Sequence, residues 1–193
     1  MQPVPIFALI DGLKAIPDEE FVTDNVYEFL ASNPVAVDSL EKYFYWSPEF
    51  YTRNLIYKDE RFEMMAICWE KGQASTVHNH WDQKCWMMVP VGRLRGRNFA
   101  VEEIDESQMR CKLRETETFE LKDCLAAKVD LEEPIHQVLN LAEFDERAVS
   151  IHIYSKPYDR CLSYCRESDT YKEVILKYSS IDGELCEGVS ASR

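Results

Sequence analysis

The stretch GQASTVHNHWDQKCWMMVPVG, residues 72–92, carries the sharpest pattern in the sequence. His78 and His80 lie two residues apart, and in a strand residues i and i+2 point to the same face. Both imidazoles can therefore converge on one point inside a β-barrel, where they would suit iron, copper, nickel or zinc. A chance pair of histidines on a solvent-exposed face is the alternative interpretation of so short a motif.

Short β-type segments follow one another from Tyr51 onward, separated by turns or charged stretches. Many short strands without alternating helices predict an all-β sandwich or barrel. The N-terminal residues instead show helical patterns that end at prolines. We expect one domain over residues 1–193, made of a helical N-terminal cap over 1–45, a β-barrel over 50–180 and a loose tail over 181–193.

The chain has four histidines, and each lies in or beside a predicted strand. They are His78, His80, His136 and His152. None lies in the helical N-terminal part, which favours a histidine-rich site in the barrel.

The formal net charge of −13 argues against nucleic-acid binding, which needs a basic face, and against docking on anionic membranes. Residues 1–10 show no basic segment followed by a long apolar run, so we expect no secretory leader and a cytoplasmic location. The seven cysteines are scattered, so we expect free thiols without structural disulfides. We also predict a monomer whose partners are small molecules.

The motif of residues 72–92 resembles the first motif of the cupin family, G-x5-H-x-H-x(3,4)-E-x6-G. Gly72 and Gly92 match its two ends, and Cys85 occupies the position at which most cupins carry glutamate. The resemblance implies a cupin fold, a small β-barrel of the jelly-roll type.

A second segment resembles the end of the second cupin motif. It is His136 followed by Asn140, with three residues between them. The upstream proline and glycine of that motif are absent, because Leu131 and Glu133 stand in their places.

The absence of glutamate at position 85 has a consequence for the charge of the metal. A site of two histidines and one carboxylate gives iron an anionic ligand, whereas three neutral imidazoles leave the 2+ charge uncompensated. Such a site favours an anionic ligand from the substrate. A thiolate is a good candidate, since metal coordination deprotonates a thiol.

Several segments together resemble the cysteine dioxygenase family from about Tyr51 to Cys165. One is similar to its substrate-carboxylate segment, one to its metal and thioether segment, and one to its Ser-His-Tyr segment. Their order and spacing together are specific, although each alone is not. The matching parts are Tyr51–Leu55, His78–Cys85, His136 and Ser150–Ser155.

The resemblance implies a role for each matched residue in the metal and substrate site. His78, His80 and His136 would hold one Fe(2+) per chain. Arg53 would bind the substrate carboxylate through its planar guanidinium, and Tyr51 would assist it.

The resemblance also implies a relay beside the metal. Tyr154 would direct its phenol at the substrate or oxygen, and His152 and Ser150 would orient that phenol. A thioether crosslink between Cys85 and Tyr154 would form a protein-derived cofactor that fixes the phenol and lowers its pKa. An unmodified buried thiol is the alternative.

The chain departs from the family after this tyrosine. Vertebrate-type members carry Ser-Pro-Pro, whereas this sequence has Ser155, Lys156 and Pro157. We therefore expect a different turn beside the site, and with it a change in the cis peptide bond that the family places there.

The function implied is a non-heme iron dioxygenase that oxidises L-cysteine with O2 to cysteine sulfinic acid, incorporating both oxygen atoms. Another small thiol with a carboxylate, 3-mercaptopropionate or mercaptosuccinate, is the first alternative. Cysteamine is disfavoured because it offers no carboxylate to Arg53. The sequence is also compatible with a non-catalytic ligand-binding cupin and with a zinc or nickel cupin that has isomerase-like chemistry.

Overall fold

Two α-helices and two 3-10 segments open the chain in the computed structural model, which describes residues 2–129 and 135–193. Leu131 and Glu133, which replace the proline and glycine of the second cupin motif, lie outside the described residues. Helix α1 covers Ile6–Ala15 and helix α2 covers Thr23–Ser32. The 3-10 segments are Asp18–Glu20 and Val37–Tyr43.

The rest of the described chain consists of strands joined by short connections and two further 3-10 turns. The strands are β1 Thr52–Lys58, β2 Glu63–Trp69, β3 Val77–His78, β4 Lys84–Val91, β5 Arg93–Asp105, β6 Arg110–Lys122, β7 Ala127–Lys128, β8 Ile135–Leu139, β9 Ala148–Ser155, β10 Arg160–Cys165, β11 Thr170–Ile175, β12 Ser180–Ile181 and β13 Glu184–Leu185; the turns are Glu106–Gln108 and Ala142–Phe144.

These strands form two sheets. One has the order β13-β12-β1-β2-β9-β4-β7, and the other closes on itself in the order β10-β11-β6-β5-β8-β3. The architecture is the all-β cupin barrel with an N-terminal helical cap that the sequence predicts.

The central strands β2 and β9 are buried on both faces, because helices cover one face and the barrel interior lies behind the other. Met64, Ala66 and Ile151 belong to the cluster that packs against the leucines of α1 and α2. Met65 and Ile67 belong to the cluster inside the barrel, since successive side chains of a strand point to opposite faces. The helical cap thus shields the outer face of this sheet from water, and the inner face of the same sheet carries part of the site.

Asn140 ties the end of β8 to the neighbouring strands, which gives a structural reason for this position of the second motif. Its side-chain amide donates to the carbonyl oxygens of Trp69, Glu70 and Glu146 at 3.2, 3.3 and 2.8 Å. Asn140 is buried, so these donations give hydrogen bonds to carbonyl groups that are shielded from water and would otherwise have no donor.

The expected loose tail over residues 181–193 is wrong. Strand β12 pairs in parallel with β1, and β13 pairs with β12. Trp46 and Ser192 also exchange two backbone hydrogen bonds of 2.6 and 2.9 Å. Small polar residues suggested a loose segment, but pairing through the main chain does not require apolar side chains.

Strand β10 pairs with both β3 and β11. The pairing places Ser163 opposite His78, so β10 borders the strand that carries the first histidine.

The turn after β9 contains a cis peptide bond, between Ser155 and Lys156.

Among the described residues, no helix is long and apolar enough to cross a membrane.

Candidate active site

The two cupin motifs meet at the three histidines. His78 ends β3, and it pairs directly with His136 on β8. His80 follows two residues later and completes the group. One ligand atom from each imidazole can be chosen so that all three lie within 4.8 Å of one another. Residues 58 positions apart in the sequence, counted from 78 to 136, thus share one site.

Hydrogen bonding prepares these imidazoles to bind a cation. His78 Nδ1 lies 2.9 Å from the carbonyl oxygen of Thr76, which can only accept, so Nδ1 carries the proton and Nε2 carries a lone pair. His78 Nε2 and His80 Nε2 face each other at 3.2 Å. Two nitrogens at adjacent positions of an octahedral metal, each about 2.1 Å from it, would be about 3 Å apart. The arrangement fits a metal ion.

The electrostatic environment keeps the imidazoles neutral. Burial lowers the pKa of His78 to about 4. Burial, together with the neighbouring His136 and His78, holds the pKa of His80 well below its ordinary value. Metal ligation requires neutral imidazole, so at neutral pH the lone pairs are available without release of a proton.

Arg53 is a cation with side-chain nitrogens buried in the barrel. It lies on β1, and its Nε and Nη2 atoms are buried with no hydrogen-bond partner among the described residues. A guanidinium does not lose its proton in a protein, so the group must stay charged. The buried Glu63 acts on this charge, and an anionic ligand would supply the acceptors that Nε and Nη2 lack.

Tyr51 lies next to this guanidinium. Its ring stacks on Trp69 with centroids 4.6 Å apart. Burial raises the pKa of the Tyr51 phenol, and the charge of Arg53 opposes the rise. The phenol therefore stays a neutral hydrogen-bond donor beside Arg53.

A hydrogen-bonded chain of four side chains leads to Tyr154. Trp69 Nε1 lies 2.9 Å from Ser150 Oγ, Ser150 Oγ lies 2.9 Å from His152 Nε2, and His152 Nδ1 lies 3.1 Å from the Tyr154 hydroxyl. Register places Ser150, His152 and Tyr154 at alternate positions of β9, so one face presents all three. The sequence predicted the last three members and missed Trp69.

Trp69 sets the direction of this chain. An indole N–H can only donate, so Ser150 Oγ accepts from it. Ser150 is fully buried, and its own proton has His152 Nε2 as its acceptor among the described residues. His152 then carries its proton on Nδ1 and donates to the Tyr154 oxygen. The Tyr154 proton remains available for a donation into the site.

The same contacts separate His152 from the metal ligands. Both of its ring nitrogens have partners, Ser150 and Tyr154, and it is not part of the group that could hold a metal. Burial, with the charge of Arg53, lowers the pKa of His152 to about 3, so the imidazole is neutral. His152 is suited to orient a phenol.

Cys85 and Tyr154 lie directly opposite each other on β4 and β9. Directly opposed residues of antiparallel strands project to the same face, with their Cβ atoms about 5 Å apart. Burial raises the pKa of the Cys85 thiol, while a hydrogen bond with Tyr154 opposes the rise. The two groups that a thioether would join are therefore neighbours.

Tyr158 is a further aromatic residue at the site that the sequence did not single out. Its ring contacts Tyr154 and His80, with centroids 5.0 and 5.6 Å away. It follows the turn after β9, where neither strand periodicity nor a motif indicates the direction of a side chain.

Comparison with known proteins agrees with this geometry. The family model described as cysteine dioxygenase type I matches residues 4–167. Cysteine dioxygenase type 1 of Bos taurus is 30% identical over 135 residues, covering 67% of this chain and 63% of that protein, less than two thirds of its length. The protein of the same name from Danio rerio is 25% identical over 189 residues, covering 95% of this chain and 90% of that protein. Because the family model matches most of the chain, the protein belongs to the cysteine dioxygenase type I family.

Proposed function

We propose that this protein is an iron-dependent thiol dioxygenase that converts L-cysteine and O2 to cysteine sulfinic acid, with both oxygen atoms added to sulfur. One observation carries the proposal: a group of three histidines lies near a guanidinium whose buried Nε and Nη2 have no hydrogen-bond partner among the described residues. A substrate with a thiolate and a carboxylate supplies one negative charge to each of these two places.

His78, His80 and His136 would hold one Fe(2+) per chain. Bound there, the ion would supply the redox chemistry that joins O2 to the substrate sulfur. The neutral ligand set supports a thiolate partner, since the protein adds no negative charge of its own at these three positions.

Arg53 would bind the substrate carboxylate, and Tyr51 would add a second donor. Both lie on or next to β1, so this end of the site is built on one rigid strand. Holding the substrate at its carboxylate fixes the distance of its sulfur from the metal, which is an orientation effect.

Tyr154 would donate its free proton to the oxygen that gains negative charge as the S–O bonds form. Ser150 and His152 would keep that donor directed into the site. Mere binding of a ligand does not need an oriented phenol, and this supports an enzyme over a non-catalytic cupin.

A Cys85–Tyr154 thioether would form by loss of the thiol hydrogen and one ring hydrogen, with O2 as the acceptor of two electrons and two protons. The opposed positions of the two residues support this step. The bond would fix the Tyr154 ring.

The cytoplasmic location and the monomeric state stay predictions.

A thiol panel tests the substrate. We expect sulfinate to form faster from L-cysteine than from 3-mercaptopropionate, mercaptosuccinate or cysteamine.

Arg53→Gln should lower kcat/KM for L-cysteine about a hundredfold, because a buried charge pair is lost. Arg95→Gln, on the partly exposed face of β5, is the control and should leave kcat/KM unchanged.

The outcomes of the panel discriminate between substrates and between classes of protein. Fastest sulfinate formation from another carboxylate-bearing thiol would contradict the choice of L-cysteine and keep the reaction type. If the iron-loaded protein consumes no O2 with any thiol, the protein is a ligand-binding module.

Metal content tests the assignment of the third ligand. His136→Asn should reduce bound iron to about a tenth or less of the wild-type amount, since one ligand is removed. His152→Gln should keep iron near the wild-type amount but lose turnover, because it disturbs only the relay. Iron is measured by atomic emission, and circular dichroism checks folding. Equal iron loss in both variants would contradict the division of roles.

Denaturing electrophoresis with intact mass tests the crosslink. Wild-type protein that has turned over should show a faster band whose mass is lower by two hydrogen atoms, and Cys85→Ser should lack it. Cys68→Ser is the matched control, because Cys68 is buried on the outer face of β2. A single wild-type band with unchanged mass would contradict the crosslink.

A further inference from the structure

Tyr158 packs into the interior of the site. It belongs to the residues that pack against the inner cluster of the barrel. Its ring meets Tyr154 at an interplanar angle of 64° and His80 at 62°, both edge-on. The ring therefore covers the phenol of Tyr154 and one metal-binding imidazole at the same time.

Tyr158 lies in the same part of the barrel interior as Arg53. Its ring centroid is 5.0 Å from that of Tyr154, and Tyr158 and Arg53 each act on the charge of the other. A tyrosine hydroxyl has an ordinary pKa of about 10, so it carries a proton at neutral pH.

The Tyr158 hydroxyl has a proton to donate, and it lies in the same region as a guanidinium whose Nε and Nη2 have no hydrogen-bond partner among the described residues. A neutral donor next to unpaired cationic donors is an arrangement for binding an anion.

We propose that Tyr158 is a substrate-positioning residue whose hydroxyl, together with Arg53, binds the carboxylate of the thiol substrate. This inference rests on the proposed function and extends it. A carboxylate accepts about four hydrogen bonds, so a bidentate guanidinium and the Tyr51 hydroxyl leave room for one more donor. This fourth hydrogen bond fixes the rotation of the carboxylate and favours thiols that carry one over thiols that do not.

Tyr158→Phe removes only the hydroxyl and keeps the ring over Tyr154 and His80. Binding is measured by calorimetry on iron-loaded protein without oxygen, using L-cysteine and cysteamine. We expect the affinity for L-cysteine to fall about tenfold or more, because a hydrogen bond to a charged group is lost. The affinity for cysteamine should stay within about twofold, since it has no carboxylate.

Tyr164→Phe is the matched control. Tyr164 is a half-buried tyrosine on β10 that packs on Tyr171 against a different hydrophobic cluster from Tyr158, and Tyr164→Phe should leave both affinities unchanged. The yield of the crosslinked band provides a second measurement. If Tyr158 acts only by positioning Tyr154, Tyr158→Phe should change this yield.

Three results would overturn the assignment of Tyr158. They are an unchanged affinity for L-cysteine in Tyr158→Phe, an equal loss for both thiols, and no binding of L-cysteine by wild-type protein. If wild-type protein binds L-cysteine but forms no sulfinate, the proposed dioxygenase function fails, and the ratio of affinities still decides the role of Tyr158.

Discussion

Positive charge inside the barrel is the constraint on which the site depends. Three imidazoles would give a bound metal no anionic ligand, and Arg53 is a permanent cation with two buried nitrogens that lack hydrogen-bond partners among the described residues. With a metal bound, each of these two places favours a negative charge from outside the protein. A small molecule that carries a thiolate and a carboxylate satisfies both.

The fold keeps water away from that charge. The helical cap covers the outer face of β2 and β9, and this lets the inner face carry the relay in a buried environment. Burial explains why His152 is neutral and why the phenols near Arg53 stay protonated. Neutral donors fixed by packing require little reorganisation when charge develops on the substrate.

The polarity of the relay depends on one residue whose role is not visible in the sequence. Trp69 has a single donor and no acceptor, so Ser150 Oγ accepts from it and keeps its own proton for His152, its acceptor among the described residues. The last free proton of this chain belongs to Tyr154, which can donate it into the site.

Much of the architecture and part of the site could be predicted, for identifiable reasons. Strand periodicity predicted that His78 and His80 converge; they do converge, although β3 ends at His78 and His80 lies beyond it. The succession of short β-type segments without alternating helices indicated an all-β sandwich or barrel. The convergence of His136 with this pair depends on strand pairing over a long sequence separation, so residue spacing alone did not decide between it and His152. Tyr158 follows a turn, where periodicity does not indicate the direction of a side chain. The order of residues 181–193 comes from main-chain pairing, to which composition is a poor guide.

The most direct test of the central claim is the reaction of iron-loaded protein with L-cysteine under O2 made of a heavy oxygen isotope. We predict cysteine sulfinic acid that carries two heavy oxygen atoms in its mass spectrum, with one O2 consumed for each product molecule. A product with one or no heavy oxygen atom, or cystine in place of the sulfinate, would contradict the account.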